Sequence, residues 1–325
     1  MAPRDAGRGV KPLLIVNPAA GGGKAGQTLH ALRPVVERIL GPVDLALTAR
    51  AGHAISLARN AAVEGRELVV AVGGDGTLHE VANGVLDAQV EKGAKTALGL
   101  VAQGTGGDFR KSLGLEHRLD RYLEAIASGR EQKVDAVRAT FHVSEGSTRS
   151  KVTRWFLNIL SAGMGGLVDR FVVDAPRAFS SSVAYLWASV RAAAAYEPVP
   201  LRCVVERGGE RIENVLSPWV VGVCNGTTFG AGMRIAPMAS VSDGRLEVVA
   251  LSAPSRLAFA RLSRKLYTGS HLGEPGVFHL SGEKVRIEAV RDGAGAPVFL
   301  DVDGEPLGEL PLEVEVVPGA LTIRA

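Results

Sequence analysis

Residues 71–77, Ala-Val-Gly-Gly-Asp-Gly-Thr, combine backbone freedom, a carboxylate and a hydroxyl within one short stretch. They follow the apolar run Glu67-Leu68-Val69-Val70 and lead into a helix-like segment from Leu78 to Leu86. A buried strand that ends in Gly73-Gly74-Asp75-Gly76-Thr77 and turns into a helix suits a polyphosphate. Glycines allow close backbone approach without Cβ clashes, and a helix start offers unpaired N–H groups to an anion. Asp75 adds a carboxylate able to position magnesium or a reacting hydroxyl. This stretch reads as a phosphoryl-transfer site.

Two further loops have similar chemistry. Asn17-Pro18-Ala19-Ala20-Gly21-Gly22-Gly23-Lys24 follows the apolar Leu13–Val16 run. It is not a Walker A sequence, because its glycine spacing differs and no Ser or Thr follows the lysine. As the first loop of an α/β domain it reads as a phosphate loop, with Lys24 an electrostatic contact. Gly104-Thr105-Gly106-Gly107-Asp108-Phe109 follows the strand Leu98–Ala102 and offers flexible backbone, a hydroxyl and a carboxylate. Asp108 also suits a plain helix-capping role. With Asp75 and Asp108, Asp135 would complete a carboxylate set for magnesium, held directly or through water. Asp243-Gly244 and Asp303-Gly304 are first of all turn signals between strands.

The elements that must position these loops alternate in type. Strands at Leu13–Val16, Val43–Leu47, before Gly73 and at Leu98–Ala102 are separated by helical patterns over Gln27–Leu40, His53–Val63, after Thr77 and over Leu119–Ala127. This rhythm predicts a parallel sheet with ligands at the carboxyl ends of its strands. After about residue 138, short β-rich stretches dominate, among them Phe156–Ile159, Trp219–Cys224, Leu246–Leu251 and Leu312–Val317. An antiparallel, sandwich-like second domain is predicted, with helical inserts at Ser181–Tyr196 and Ser255–Tyr267. The expected layout is a disordered tail at 1–10, a nucleotide-binding α/β domain at 11–138 and a β-rich domain at 139–318. Residues 319–325 are left able to pack back on the first.

Bulk composition narrows the function classes. A chain of 325 residues with 46% hydrophobic content has ample material for two cores. The net charge of +3 suits anionic nucleotides or a membrane surface, and no dense Lys/Arg run points to nucleic acid. Two cysteines, Cys203 and Cys224, exclude a disulfide framework. No apolar run approaches membrane-spanning length, so a cytoplasmic protein is expected. Arg256, Arg261, Arg264 and Lys265 lie among Leu257, Phe259, Leu262, Leu266 and Tyr267. That pattern fits both an ordinary amphipathic helix and peripheral membrane contact through 255–270. Oligomeric state is open, a homodimer included.

In order along nearly the whole chain, these motifs resemble the diacylglycerol kinase catalytic-domain family, which includes bacterial lipid kinases, sphingosine kinases and ceramide kinases. The resemblance implies a phosphofructokinase-like nucleotide domain, a β-rich lipid domain and a cleft in which MgATP phosphorylates a lipid hydroxyl. The acceptor would be diacylglycerol, or a ceramide or sphingoid base. It further implies that Asn17, Gly22, Lys24, Thr48, Gly73, Gly74, Gly76, Thr77, Gly104 and Thr105 contact nucleotide. Asp75, Asp108 and Asp135 would organise catalytic magnesium, and Asp243 a structural magnesium. Asp303 or Asp75 would be the general base, with Glu305 in support. One departure is clear: Gly107 stands where the family usually has Asn. An NAD kinase-like soluble kinase and a non-catalytic nucleotide- or lipid-binding regulator are the alternatives.

Overall fold

Runs such as Leu13-Leu14-Ile15-Val16 and Leu68-Val69-Val70-Ala71-Val72 have no polar face to offer water, so they form strands covered on both sides. In the computed structural model, residues 11–22, 33–103, 107–146, 148–176, 179, 181–230, 232–290 and 296–325 are described. The expected tail at 1–10, Lys24, Gly104 and Thr105 lie outside the described residues, as does the 27–32 part of the first expected helix.

The chain divides into two compact units, Met1–Val134 with Gly319–Ala325 and Asp135–Pro318. The first unit is α/β. Its elements are β1 (Leu13–Val16), α1 (33–40), β2 (Asp44–Leu47), α2 (His53–Val63), β3 (Leu68–Gly73), α3 (Asp75–Lys92), β4 (Ala97–Ala102), α4 (Asp108–Ser112) and α5 (Leu119–Ala127). The strands run parallel in the order β2-β1-β3-β4, with Ile15 beside both Ala46 and Ala71, and Val70 beside Gly99. Ile323 and Arg324 add a parallel edge beyond β4. Helices α2 and α3 pack closely because Gly84 faces the Ile55 carbonyl and the Ala58 methyl, leaving no room for a Cβ.

The second unit is β-rich. It contains β5 (Glu131–Glu145) from Asp135 onward and β6 (Thr148–Phe156), followed by β7 (Ile159–Gly163), α6 (Met164–Val173) and α7 (Ser181–Ala195). Then come β8 (Leu201–Arg207), β9 (Glu210–Leu216), β10 (Val220–Cys224), β11 (Leu246–Leu251), α8 (Arg256–Leu266), β12 (Val277–Gly282), β13 (Lys284–Ala289), β14 (Leu300–Val302) and β15 (Glu309–Arg324). One antiparallel sheet has the order β12-β11-β10-β7-β14. The other sets β13 between β8 and β15, with the β5–β6 hairpin beside β15. Side chains from both sheets, among them Phe141, Leu160, Val205, Val248, Val285 and Leu312, share one apolar core.

One expected strand needs correction, and one helix is not announced by the sequence. Phe156–Ile159 is not one strand: β6 ends at Phe156 and β7 begins at Ile159, because the intervening N–H groups turn toward a carboxylate described below. Asp243-Gly244 lies at the turn entering β11, in keeping with its turn signal. Helix α6 was hidden by Gly165 and Gly166, poor helix formers that are needed because the Ser161 side chain lies against Gly165 and the Phe299 backbone against Gly166. Among the described residues no helix is long and apolar enough to cross a membrane.

Gly84→Val should force α2 from α3 and destabilise the first unit by about 1–3 kcal/mol, the usual cost of overpacking. Calorimetry checks this; an unchanged unfolding midpoint would contradict the packing described.

Candidate active site

In the first unit, the carboxyl ends of β1, β2 and β3 bring Asn17, Thr48 and the Gly73–Thr77 loop to one edge of the sheet. The Asn17 side-chain amide donates to Thr77 Oγ1 at 3.2 Å, and its Oδ1 accepts the Ala19 N–H at 3.0 Å. The first loop is thereby tied to the start of α3. Thr48 N–H donates to the Val16 carbonyl at 2.9 Å, which fixes the end of β2 against β1. Gly22 adopts φ 71°, a left-handed conformation that glycine holds without strain. A Cβ on Gly73 would collide with the Thr77 side chain, so glycine is required for this strand-to-helix turn.

Helix α3 starts at Asp75 behind Gly74, an N-cap residue that supplies no side-chain cap. The first-turn N–H groups have no helical partners, and with the helix dipole they form an anion cradle. Asp75 Oδ2 accepts the Gly107 N–H at 2.9 Å and lies 3.4 Å from the Asp108 nitrogen, which joins the third loop to the signature loop. Asp108 is buried and forms an ion pair with Lys111 at 2.7 Å. Gly107 has φ 60° and sits directly before α4. Asn is the non-glycine residue that best tolerates this conformation, so the departure from the family keeps the backbone and removes only a side chain.

Glu80 was not anticipated as a site residue. Its two carboxylate oxygens accept the Gly52 and Ala54 N–H groups at 2.7 and 2.9 Å, capping α2 from the neighbouring helix. Nothing in local spacing announces a cap supplied by a different helix.

In the second unit, Asp303 and Gly304 both have positive φ, 54° and 88°, and Val302 pairs with Glu305 across them. This is the two-residue hairpin that Asp-Gly favours. The Asp303 carboxylate accepts three backbone N–H groups, from Leu157 at 2.9 Å and from Asn158 and Ile159 at 3.0 Å. That cradle positions the side chain and interrupts the expected 156–159 strand. Buried Asn158 and Asn225 brace the same segment, Asn225 donating to the Asp135 and Leu157 carbonyls at 3.2 and 2.6 Å. Asp135 is buried, and its Oδ2 accepts the Gly244 N–H at 2.7 Å. Burial, together with the charges of Asp135 and Glu247, raises the Asp243 carboxyl above its ordinary range. Glu305 is half-buried on the hairpin.

These carboxylates are hard oxygen donors of the kind magnesium takes. Among the described residues, however, no three His, Cys, Asp or Glu side chains cluster as a metal-binding group. A magnesium held here would complete its shell with water and phosphate oxygens, its usual habit.

Fold and site define a kinase-like protein of two domains, and comparison with known proteins narrows the class. Residues 11–139 match the diacylglycerol kinase catalytic domain, and residues 158–325 match the YegS C-terminal NAD kinase beta sandwich-like domain. The chain belongs to the diacylglycerol kinase catalytic-domain family, in the branch carrying that YegS-type C-terminal domain. It is 28% identical over 268 residues to the probable lipid kinase YegS of Salmonella arizonae, covering 80% of this chain and 78% of the relative. The fold matches a diacylglycerol kinase from Bacillus anthracis with a TM-score of 0.67 at 22% identity, covering 96% of each chain. It also resembles yeast NADH kinase complexed with NADH, with a TM-score of 0.50 at 13% identity, covering 97% of this chain and 83% of that one.

Gly107→Asn should lose less stability than Gly107→Val, which should lose about 1–2 kcal/mol, the cost of a left-handed conformation. Thermal melts of the two variants decide it; equal destabilisation would contradict the backbone explanation.

Proposed function

We propose that this protein is an ATP-dependent lipid kinase that transfers the γ-phosphoryl group of MgATP to a lipid hydroxyl. Diacylglycerol and a ceramide or sphingoid base are the candidate acceptors. The observation that carries the reading is the start of α3 behind Gly74, joined through Thr77 to Asn17 and through Asp75 to the third loop. Similarity to a probable lipid kinase over most of the chain supports a lipid acceptor.

In this reading the first unit binds the nucleotide phosphates with the amides of Gly74, Gly76 and Thr77, with Lys24, Gly104 and Thr105 contributing from their loops. Magnesium, when bound, neutralises charge on the phosphates; Asp75, Asp108 and Asp135 are the proposed carboxylates, with Asp243 serving a structural ion. The acceptor alcohol is a poor nucleophile and needs a base within hydrogen-bond reach of its proton. Asp303 and Asp75 are the two candidates, and Glu305 supports Asp303. The amide cradle around Asp303 favours a fixed, reproducible position for that carboxylate.

Membrane contact through 255–270 is also proposed, in a restricted form. Phe259, Leu262 and Leu266 are buried, so the apolar stripe of α8 serves the core. Leu257 and Tyr267 are exposed at 62% and 57%, and with Arg261 and Arg264 they form the surface offered to an anionic bilayer. Cytoplasmic location with membrane visits during turnover is consistent with this.

The test is transfer of labelled phosphate from ATP to diacylglycerol, ceramide, sphingosine and phosphatidylglycerol in mixed micelles, with NAD as the soluble acceptor. A labelled lipid is expected. Asp75→Ala should lower the rate about a hundredfold or more, the scale of losing a base or charge-organising group. Label on NAD alone would replace the lipid reading with a soluble-kinase one. MgATP binding without transfer to any acceptor would favour a regulator.

A further inference from the structure

Strand β14 and the turn just past it carry two aspartates with different partners. Asp303 ends at the amide cradle described above, whereas Asp301, two residues earlier, is 8% exposed and faces β7 and α6. Asp301 Oδ1 accepts the Gly304 N–H at 2.6 Å, so its carboxyl closes the hairpin that presents Asp303 and Glu305. Its Oδ2 lies 3.4 Å from Ser161 Oγ, on the β7 residue directly opposite. Asp169, on α6, shares a side-chain hydrogen bond with Asp301. Asp169 Oδ2 is buried and accepts no N–H or O–H among the described residues. The contact between α6 and β14 is tight, because Gly166 lies against the Phe299 backbone and Arg170 places its guanidinium 3.7 Å from the Phe299 ring centre.

Two carboxyl groups can form a hydrogen bond only if at least one proton lies between them. We propose that Asp169 and Asp301 hold one shared proton, and that this pair is a positioning device for the Asp303-Gly304-Glu305 hairpin. The link to catalysis rests on the lipid kinase reading; the proton sharing itself does not. While the proton is present, Asp301 joins α6 to the Gly304 amide. When it is lost to solvent, two adjacent carboxylates repel, and the Asp303 and Glu305 charges on the hairpin add to the strain. Arg170 is the cation on α6 beside them, and it is engaged over Phe299.

Charge and burial agree with this arrangement. Burial, followed by the charge of Asp169, raises the Asp301 carboxyl well above the ordinary range. Burial raises Asp169 to about 6, the hydrogen bond to Asp301 opposing and the Glu305 charge adding. Both native groups bind protons more tightly than an unfolded aspartate, whose value is about 3.9. The native state therefore holds more protons than the unfolded state above that value. Its stability falls as pH rises from about 4 through the native value of about 6 for Asp169.

The experiment is a carbon-13 carboxyl and nitrogen-15 amide NMR titration of the full chain, run on wild type, Asp169→Asn and Asp301→Asn. Wild type should show an aspartate titrating near pH 6, with the Gly304 amide shifting in step. Both signatures should vanish in either variant. In the phosphate-transfer assay, Asp301→Ala should lower kcat about tenfold, the rate equivalent of one lost hydrogen bond. Asp301→Asn should restore most of it, since its amide can donate to Asp169 and its oxygen can still accept from Gly304. Its pH profile should also lose the limb that follows the pair. Aspartates that all titrate near 4, or a Gly304 amide that ignores the titration, would overturn the proposal. So would equal kcat loss in the Ala and Asn variants. A wild type that shows the coupled titration but phosphorylates no acceptor would instead overturn the kinase reading and leave the pair standing.

Discussion

The first unit depends on one steric constraint: β3 must turn into α3 with no Cβ at Gly73. The Thr77 side chain occupies the space a Cβ would need, and from there Thr77 accepts the Asn17 amide. The same turn receives the Gln103 N–H at the Gly73 carbonyl, 2.8 Å away, at the end of β4. Asp75, one residue past the turn, accepts the Gly107 N–H. Loops one and three are therefore fastened to the signature loop by hydrogen bonds that a bulkier residue at Gly73 would break. Because the N-cap residue is Gly74, no N-cap side chain competes with an anion for the first-turn amides.

The second unit solves a related problem in another way. A carboxylate that must keep one position cannot rely on its own rotamers, and here Asp303 is held by three successive amides at the β6–β7 junction. The hairpin beneath it is closed from the other side by Asp301, itself bonded to Asp169. Linked polar groups of this type rigidify their surroundings, and removing one member leaves its partners unpaired at considerable cost.

The fold class was legible because its strongest signals are local. Continuous apolar strands β1, β3 and β4 alternate with helical patterns, and they read as a parallel sheet without reference to anything distant. Helix α2 and helix α5 could be bounded from their own residues. The β5–β6 hairpin was less visible, since most of β6 is exposed and its Arg, Lys, Ser and Thr residues hide the alternation. Sequence also marked Asn17 and Thr77 as nucleotide contacts and Asp75 as a magnesium- or hydroxyl-positioning carboxylate, and hydrogen bonds in the first unit join Asn17 to Thr77 and Asp75 to Gly107. What sequence could not reach were pairings made across long separations. Glu80 caps a helix other than its own, and Asp169 meets Asp301 only through the packing of α6 on β14.

The central claim is that the amides at the start of α3 receive the nucleotide phosphates, and a MgATP titration followed at individual backbone amides tests it most directly. The account predicts saturable shifts of Gly74, Gly76, Thr77 and Gly107, abolished when Gly73 is replaced by Val. Saturable MgATP binding that leaves those four amides unmoved would contradict it.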